Sequence, residues 1–313
     1  MPSKGAEKIC VCLCTYNGEH YLDAQLQSLV QQTDQNFSVL VSDDASTDGT
    51  LKVLEAYHSQ QKLPLSVRQG PRSGVTANFL SFFSEKNEQA TFFAFCDQDD
   101  IWKADKLERA RRWLSSVPEN VPALYGSRVR LIDAEGHPFG TTVQPSKPLV
   151  FANALIQNFT SGNTMVFNRA AYELVQKSLQ TQPAGLIPIH DWWVYLIVSG
   201  AGGEVYCDDY ESLDYRQHAS NLIGAKTGFF ALRGQLDRLL GGQTQAWLGR
   251  NLQALENSID LLSEDNRALF LSFKQARSSS FFSRLRYSLQ MKVYRQGRVG
   301  QVGMLIAFIL GKL

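Results

Sequence analysis

Three short apolar runs in the N-terminal third of the chain end abruptly in polar residues, and helical patterns follow them. The runs are Ile9–Cys14, Phe37–Val41 and Phe92–Cys96, and the polar groups that follow are Thr15–Asn17, Asp43–Asp44 and Asp97–Asp100. Strands that alternate with helices predict an α/β fold with a largely parallel sheet. Ligands bind outside the carboxyl ends of the strands in such sheets, which is where all of these polar groups are expected to lie.

The charge of the chain is balanced as a whole but not along its length. The 313 residues include 31 Lys and Arg against 30 Asp and Glu, and the net charge of +1 argues against a generally basic nucleic-acid-binding protein. A hydrophobic content of 44% excludes a disordered chain and allows one large domain or two medium ones. Residues 266–313 contain nine basic residues and no acid, whereas residues 1–265 carry 22 basic against 30 acidic residues, a net charge of −8.

Cysteine usage and apolar segments indicate the compartment. The cysteines are odd in number and form no Cys-x-x-Cys pair: Cys10, Cys12, Cys14, Cys96 and Cys207. This usage predicts buried, reduced thiols in a cytosolic protein rather than zinc ligands or disulfides. Met1–Lys8 lacks the apolar region of a signal peptide, and Val299–Leu310 is shorter than the ~20 residues of a spanning helix. We therefore expect a protein that works inside the cell.

The acids Asp97, Asp99 and Asp100 directly follow an apolar strand. Neighbouring carboxylates repel one another unless a cation is bound, so acids that leave a core strand need a partner. Asp97 and Asp99 therefore predict an oxygen-ligand site for Mg²⁺ or Mn²⁺. The alternative is a solvated acidic turn in which Asp100 caps the following helix.

Asp43 and Asp44 form a second acidic strand end. The residues after them, Ser46–Thr50, are typical of a turn followed by a helix cap, which accounts for Asp48-Gly49. No such structural task is evident for Asp43 and Asp44. We expect at least one of these two carboxylates to hydrogen-bond a ligand.

Val11–Asn17, Val41–Thr50 and Phe95–Trp102 together resemble the inverting glycosyltransferases of family 2, which have the GT-A fold. The third segment, Phe-Cys-Asp-Gln-Asp-Asp-Ile-Trp, is similar in particular to bacterial rhamnosyltransferases that build cell-surface polysaccharides. The resemblance covers about residues 8–225 and rests on three ordered motifs. It implies a mostly parallel, Rossmann-like sheet flanked by helices and followed by a helical C-terminal region.

The same resemblance implies a nucleotide-sugar donor, dTDP-rhamnose or a UDP-sugar, and a divalent cation, Mn²⁺ or Mg²⁺. The residues it places around the donor are Thr15, Tyr16, Asn17, Asp43, Asp44, Asn78, Asp97 and Arg216. Asp97 and Asp99 would hold the metal, and His218 would supply a third ligand or a hydrogen bond to the leaving phosphate. A metal at this place would neutralise, as a Lewis acid, the charge that develops on the leaving diphosphate.

Asp191, in the segment His190-Asp191-Trp192-Trp193, is the candidate general base that deprotonates the acceptor hydroxyl. By resemblance, the catalytic base of the family is an Asp in an equivalent motif at this place in the chain order. A helix N-cap is the alternative. We also expect Trp192 and Trp193 to bind the acceptor, because aromatic faces stack on sugar rings, although core packing is an alternative.

Gly162 and Asn163 are further acceptor-binding candidates, since small and polar residues allow close backbone approach to a sugar. A strand-entry turn within a predicted strand at Ser161–Phe167 is the alternative.

We expect residues 1–225 to form the GT-A domain, with a nucleotide-sugar half at about 1–115 and an acceptor half at about 116–225. Residues 226–313 are expected to form a helical, basic, amphipathic C-terminal region. Its basic residues alternate with apolar ones at helical spacing between Phe281 and Ile309, which predicts attraction to an anionic membrane surface. Packing on the acidic body and a homodimer contact are the alternatives.

The sequence thus predicts a metal-dependent inverting glycosyltransferase that moves L-rhamnose from dTDP-L-rhamnose onto a glycan or lipid-linked glycan at the cytoplasmic face of the membrane. A UDP-hexose donor is the first alternative. A nucleotidyltransferase would carry a Gly-rich phosphate loop after the first strand, where this chain has Thr15-Tyr16-Asn17-Gly18. A non-catalytic carbohydrate- or membrane-binding protein would have no use for acids at two strand ends together with Asp191.

Overall fold

The computed structural model describes residues 8–84, 87, 89–183, 185–218 and 243–313. Within these residues one sheet contains nine strands: β1 (Ile9–Thr15), β2 (Phe37–Asp43), β3 (Leu65–Gln69), β4 (Phe92–Cys96), β5 (Ile101–Trp102), β6 (Ala123–Ile132), β7 (Pro138–Thr141), β8 (Val166–Asn168) and β9 (Glu204–Arg216). The α-helices are α1 (Glu19–Val30), α2 (Thr50–Ser59), α3 (Val75–Leu80), α4 (Lys106–Leu114), α5 (Phe151–Ala154), α6 (Arg169–Leu179), α7 (His190–Gly200), α8 (Gln243–Asn257), α9 (Glu264–Arg277), α10 (Phe281–Ser288) and α11 (Arg298–Ile309).

The strand order is β3-β2-β1-β4-β8-β6-β9-β5, and β7 pairs with β6 outside this path. Strands β3, β2, β1 and β4 run parallel, and β9 runs parallel to β6. Strand β8 is antiparallel to both of its neighbours, β4 and β6. The predicted α/β fold is confirmed, and its parallel half contains the strands that precede the polar clusters.

Both faces of the parallel half are covered, so side chains of both faces are buried. On β1, Ile9, Val11 and Leu13 pack in the core on one face. Cys10, Cys12 and Cys14 lie on the other face, in a core that also contains Phe79 and α7. All five cysteines are buried and free, as the sequence predicts, and burial raises the pKa of the Cys14 thiol.

The structure differs from the predicted strand at Ser161–Phe167. Gly162–Thr164 is a 3-10 helix, and the strand itself, β8, begins only at Val166. The Thr164 hydroxyl donates to the Ser161 carbonyl, which favours a turn over an extended backbone. Gly162 and Asn163 of this turn form hydrogen bonds with Asp191 and Asp100, respectively.

The C-terminal helices pack on the sheet-and-helix body. Leu248 of α8, Phe270 and Phe273 of α9 and Phe308 of α11 belong to the same buried core as Trp193 of α7. The predicted boundary between residues 225 and 226 lies outside the described residues. No helix in the described part of the chain is long and apolar enough to cross a membrane.

Candidate active site

The parallel strands bring the polar clusters together at one edge. Thr15, the last residue of β1, lies opposite Asp43 on β2, and Leu13 lies opposite Cys96 on β4. The Thr15 hydroxyl donates to the Asp43 carboxylate at 2.8 Å. The sequence-predicted strand ends therefore form one continuous surface.

Asp43 and Asp44 are buried, and donors of the chain itself fix both carboxylates. Besides Thr15, Asp43 accepts hydrogen bonds from the Ser46 amide at 2.9 Å and hydroxyl at 2.6 Å. Asp44 accepts from the backbone amides of Arg72 at 2.6 Å and Gly74 at 2.9 Å. The structural task that the sequence did not reveal is to hold the loops after β2 and β3.

Tyr16 and Asn17 follow β1 and have different roles. The backbone of Tyr16 exchanges hydrogen bonds with the Gln98 side chain at 2.8 and 3.0 Å, while its ring is 58% exposed. Asn17 has a left-handed backbone with φ 47°, and its side-chain oxygen accepts from the Thr47 amide at 2.8 Å. Tyr16 thus presents an aromatic face to solvent at the edge, and Asn17 fixes the loop beneath it.

Asn78, on α3, lies under the end of β2. Its side-chain amide donates to the Ser42 carbonyl at 2.9 Å, and its oxygen is buried without a partner in the described part of the chain. That oxygen would lie 2.8 Å from a Cβ at Gly70, so a side chain at position 70 would collide with it. Asn78 therefore anchors the strand end, and the buried oxygen is held close to the Gly70 backbone.

Asp97 differs from the acids after β2. No described residue donates a hydrogen bond to its half-buried carboxylate, and burial, followed by the charges of Asp99 and Asp191, raises its pKa to about 8. Asp99 lies 2.6 Å from His218, measured from Oδ2 to Nε2. Carboxylates whose negative charge is balanced by so few hydrogen bonds or cations suit a divalent cation. The preferred ligands of such a cation are carboxylate oxygens and, for Mn²⁺, also imidazole.

Asp97, Asp99 and His218 do not yet converge as a complete ligand set. Among the described residues, the one group whose ligand atoms all lie within 4.8 Å of one another is Asp133, Glu135 and His137, in the turn between β6 and β7. That turn adjoins the site, because the Arg216 guanidinium donates to the Ala134 carbonyl at 2.8 Å.

Asp100 does not cap a helix. It is fully buried, and its carboxylate accepts from the Asn163 side chain at 2.7 Å and the Arg216 amide at 3.3 Å. Burial, followed by the charges of Asp99 and Asp97, raises the pKa of this carboxyl well above its usual range. Helix α4 begins later, at Lys106.

Asn163, a predicted acceptor-binding residue, is buried, and its side chain donates to Asp100. Its carbonyl accepts from the ammonium group of the fully buried Lys106 at 2.5 Å. The Lys106 nitrogen also lies 4.0 Å from the centre of the Trp102 ring, and burial lowers its pKa to about 7. Lys106, Asn163 and Asp100 thus form a connected buried network beneath the acidic loop, Asp97–Asp100. The sequence analysis did not identify Lys106.

Asp191 lies in the first turn of α7, after Ile189 at the N-cap, so the N-cap alternative does not hold. Its half-buried carboxylate accepts a hydrogen bond from the Gly162 amide at 2.9 Å and a second one from the Trp192 amide at 2.6 Å. A Cβ at Gly162 would lie 2.9 Å from the His190 ring nitrogen and 3.3 Å from Asp191. Glycine is therefore needed where the turn approaches the candidate base.

Trp192 and Trp193 are packed in the core, which is the alternative to acceptor binding that the sequence left open. Trp193 is fully buried and Trp192 almost so. Their indole N–H groups donate to the Ala154 carbonyl at 2.7 Å and the Ser178 hydroxyl at 3.0 Å, respectively. Neither ring presents a face to the edge, because an apolar helix on a sheet buries its large side chains.

Arg216 and His218 meet at Tyr21 of α1, a residue that the sequence analysis did not single out. The Arg216 guanidinium lies 4.8 Å from the centre of the Tyr21 ring, and the His218 ring stacks on Tyr21 at 5.1 Å. Arg216 also donates to the Asp99 carbonyl at 3.1 Å. Arg216 therefore helps to hold the loop Asp97–Asp100, and its contact with phosphate stays a prediction.

A sequence profile of the family "Glycosyl transferase family 2" matches residues 10–171. The chain is 26% identical over 252 residues to the dTDP-rhamnosyl transferase RfbG of Shigella flexneri, covering 79% of this chain and 84% of RfbG. It is 34% identical over 120 residues to the UDP-Glc:alpha-D-GlcNAc-diphosphoundecaprenol beta-1,3-glucosyltransferase WfgD of Escherichia coli. This second match covers 38% of the chain and 45% of WfgD.

Solved glycosyltransferases share the fold. Residues 1–349 of S. aureus TarS in complex with UDP-GlcNAc superpose with a TM-score of 0.54 at 17% identity, covering 97% of this chain and 90% of that one. The mannosyltransferase PcManGT of Pyrobaculum calidifontis, in complex with GDP-Man and Mn²⁺, superposes with a TM-score of 0.52 at 16% identity, covering 99% of this chain and 86% of that one.

Proposed function

We propose that this chain, which belongs to glycosyl transferase family 2 and has the GT-A fold, is a metal-dependent inverting enzyme that transfers L-rhamnose from dTDP-L-rhamnose. Glycosyl transfer in polysaccharide biosynthesis follows from the family and its relatives. The donor, the metal requirement and the stereochemistry are the proposal.

One turn carries the assignment of roles. The amide of Gly162 binds the carboxylate of Asp191 at 2.9 Å, and the side chain of the next residue, Asn163, binds Asp100 at 2.7 Å. The candidate base and the acidic loop are therefore held by adjacent residues of one 3-10 helix. Precise spacing between a base and the site of the leaving group is what an in-line displacement requires.

Asp191 acts as the general base in this proposal. Its carboxylate accepts the proton of the acceptor hydroxyl while the acceptor oxygen bonds to the anomeric carbon and the bond to the diphosphate breaks. The electron pair of that bond leaves with the nucleoside diphosphate, and the anomeric configuration inverts. The Gly162 amide keeps the carboxylate oriented throughout, since it donates to one of its oxygens.

Asp97 and Asp99 would hold Mn²⁺ or Mg²⁺, with His218 as a third ligand. Such an ion supplies Lewis-acid stabilisation of the negative charge on the leaving diphosphate. The carboxylate of Asp97 accepts no hydrogen bond from a described residue and lies near the charges of Asp99 and Asp191, and both facts support this assignment. Arg216 adds a guanidinium beside the same loop, within 3.1 Å of the Asp99 carbonyl.

The loops after β1, β2 and β3 would bind the nucleotide. Tyr16 offers an exposed aromatic ring for the base, and Asp43 and Asp44 shape the adjoining loops. Thr15, Asn17 and Asn78 keep the strand ends in place.

The choice of rhamnose rests on the similarity to RfbG over 79% of the chain. A UDP-hexose is the second candidate, because TarS was solved with UDP-GlcNAc and WfgD uses a UDP-sugar. We propose a glycan or lipid-linked glycan as the acceptor, reached by a cytoplasmic protein at the inner face of the membrane.

A thermal-shift panel tests the donor. With Mn²⁺ present, we expect dTDP and dTDP-L-rhamnose to raise the melting temperature and UDP and GDP compounds to leave it unchanged. Stabilisation by UDP compounds alone would overturn the rhamnosyl assignment in favour of the second candidate. NMR of the product then tests the reaction: an anomeric configuration equal to that of the donor would contradict an inverting transfer.

A further inference from the structure

Helices α10 and α11 expose an unusual number of large apolar side chains. On α10, Phe282 is 78% exposed and Leu289, at its C-cap, is 82% exposed, with Phe281 and Leu285 also exposed. The apolar residues that α11 exposes recur at intervals of three and four along the helix: Val299, Val302, Ile306 and Leu310 at its C-cap. We call these eight residues the apolar rim.

The opposite faces of the same helices are firmly packed, so the rim is held in a defined orientation. Met304, Ala307 and Phe308 of α11 are buried, and the Phe308 ring lies 5.9 Å from Phe273 of α9. The Arg284 side chain joins the two helices by donating to the Ile309 carbonyl at 3.0 Å. An apolar helix is ordinarily covered on all sides, whereas Val299, Val302 and Ile306 of α11 are exposed in the described part of the chain.

The segment that carries the rim is basic and contains no acid. Arg286, Lys292, Arg298 and Lys312 are exposed, and residues 266–313 contain no Asp or Glu. An isologous contact with a second copy would bring these like charges together, which opposes dimerisation through this face. An anionic lipid surface satisfies both the apolar side chains and the surrounding charges.

We propose that the apolar rim and its four basic neighbours form a docking surface for a bilayer that contains anionic lipid. The rim enters the boundary between headgroups and acyl chains, and the basic side chains contact lipid phosphates. The rim lies within residues 281–310 and includes none of the residues proposed for catalysis or metal binding. The inference deepens the proposed function by giving the enzyme a means of reaching a lipid-linked acceptor.

Vesicle flotation of the full chain, without donor or acceptor, tests the docking surface. We expect binding to vesicles of phosphatidylcholine with 30% phosphatidylglycerol, and much weaker binding to phosphatidylcholine alone. The double variant Phe282→Ser and Leu289→Ser should weaken binding by more than about tenfold, because two apolar side chains are lost from the lipid boundary. Arg286→Ser with Lys292→Ser should weaken binding by roughly fivefold for each charge, and this loss should shrink at high salt.

Leu51→Ser is the matched control, since Leu51 is 47% exposed on α2, away from the rim. Equal binding of the control and the rim variants, or binding that ignores lipid charge, would overturn the proposal. A wild-type chain that stays unbound but sediments as a dimer, with the dimer lost in the rim variants, would assign the rim to self-association instead. Donor binding by thermal shift is measured separately, so failure of the docking surface and failure of the proposed reaction remain distinguishable.

Discussion

The two acidic strand ends look alike in sequence but differ in how their charges are balanced. After β2, Asp43 and Asp44 are buried and accept hydrogen bonds from nearby amides and hydroxyls of the chain itself. After β4, Asp97 has no such donor in the described part of the chain, and burial and two further carboxylates raise its pKa to about 8. We call these two regions the satisfied edge and the charged edge.

The difference shows where stability and where reactivity are concentrated. A carboxylate that accepts several hydrogen bonds stabilises the fold, because removing it leaves buried donors unpaired. A buried carboxylate without donors destabilises the free protein and gains from any cation that binds it. We infer that the satisfied edge is already ordered in the free protein, whereas the charged edge needs a bound cation to balance its carboxylates.

The charge of Asp191 contributes to the raised pKa of Asp97, so Asp191 acts on the charged edge. Asp191→Asn is expected to give the largest effect on activity. The amide oxygen can still accept from the Gly162 amide, so the fold persists, but the side chain no longer takes a proton. We expect kcat to fall by about 10²–10⁴-fold with little change in donor binding. Sugar transfer and donor affinity are the measurements.

Asp260→Asn controls for charge, because Asp260 is exposed in the 3-10 helix before α9 and lies outside the site. Turnover of Asp191→Asn close to that of this control would remove Asp191 as the base.

Asp97→Asn and Asp43→Asn sharpen the comparison through stability rather than activity. Asp43→Asn places an amide where an amide and two hydroxyls donate, and should lower the free energy of unfolding by about 1–3 kcal/mol. Asp97→Asn replaces a carboxyl group that accepts no hydrogen bond from a described residue, and should leave the metal-free melting temperature unchanged or raise it. Added Mn²⁺ should then stabilise the wild type and Asp43→Asn but not Asp97→Asn.

Scanning calorimetry with and without EDTA measures all three proteins. Equal destabilisation by both variants in EDTA would show that the two edges are balanced in the same way. Stabilisation of Asp97→Asn by Mn²⁺ as strong as that of the wild type would remove Asp97 from the metal site.

The sequence predicted the strands, the shared edge and the acidic clusters because these features depend on local patterns. Apolar runs that end in polar residues, which are acids in the case of β2 and β4, mark β1, β2 and β4 regardless of what packs on them. The roles of Trp192, Trp193 and Asn163 depend on tertiary packing instead, which residue type alone does not reveal. Two tryptophans beside a candidate base indicate a sugar site equally well whether their rings face out or, as here, into the core.

The sequence likewise did not reveal the residues that hold the charged edge in place, Lys106 and Tyr21. Lys106 appears in an amphipathic helix, where a lysine is ordinarily on the solvated face. Only the fold shows that its ammonium group is buried against Asn163 and Trp102. Tyr21 similarly occupies an apolar position of α1, and its contacts with Arg216 and His218 join residues far apart in the chain.

Tyr21 provides the smallest of the expected effects and the finest test of the charged edge. Its ring holds Arg216 by a cation–π contact at 4.8 Å and His218 by stacking at 5.1 Å, beside Asp99. Because the contacts are made by the ring, Tyr21→Phe should bind Mn²⁺ and donor within about twofold of wild type, whereas Tyr21→Ala should bind them about tenfold more weakly. Titration calorimetry measures both affinities, and the melting temperature in EDTA checks that the fold is retained. If Tyr21→Ala left the stability and the affinities for Mn²⁺ and donor unchanged, Asp99 and His218 would keep their arrangement without this ring. The charged edge would then be held by its own hydrogen bonds, as the satisfied edge is.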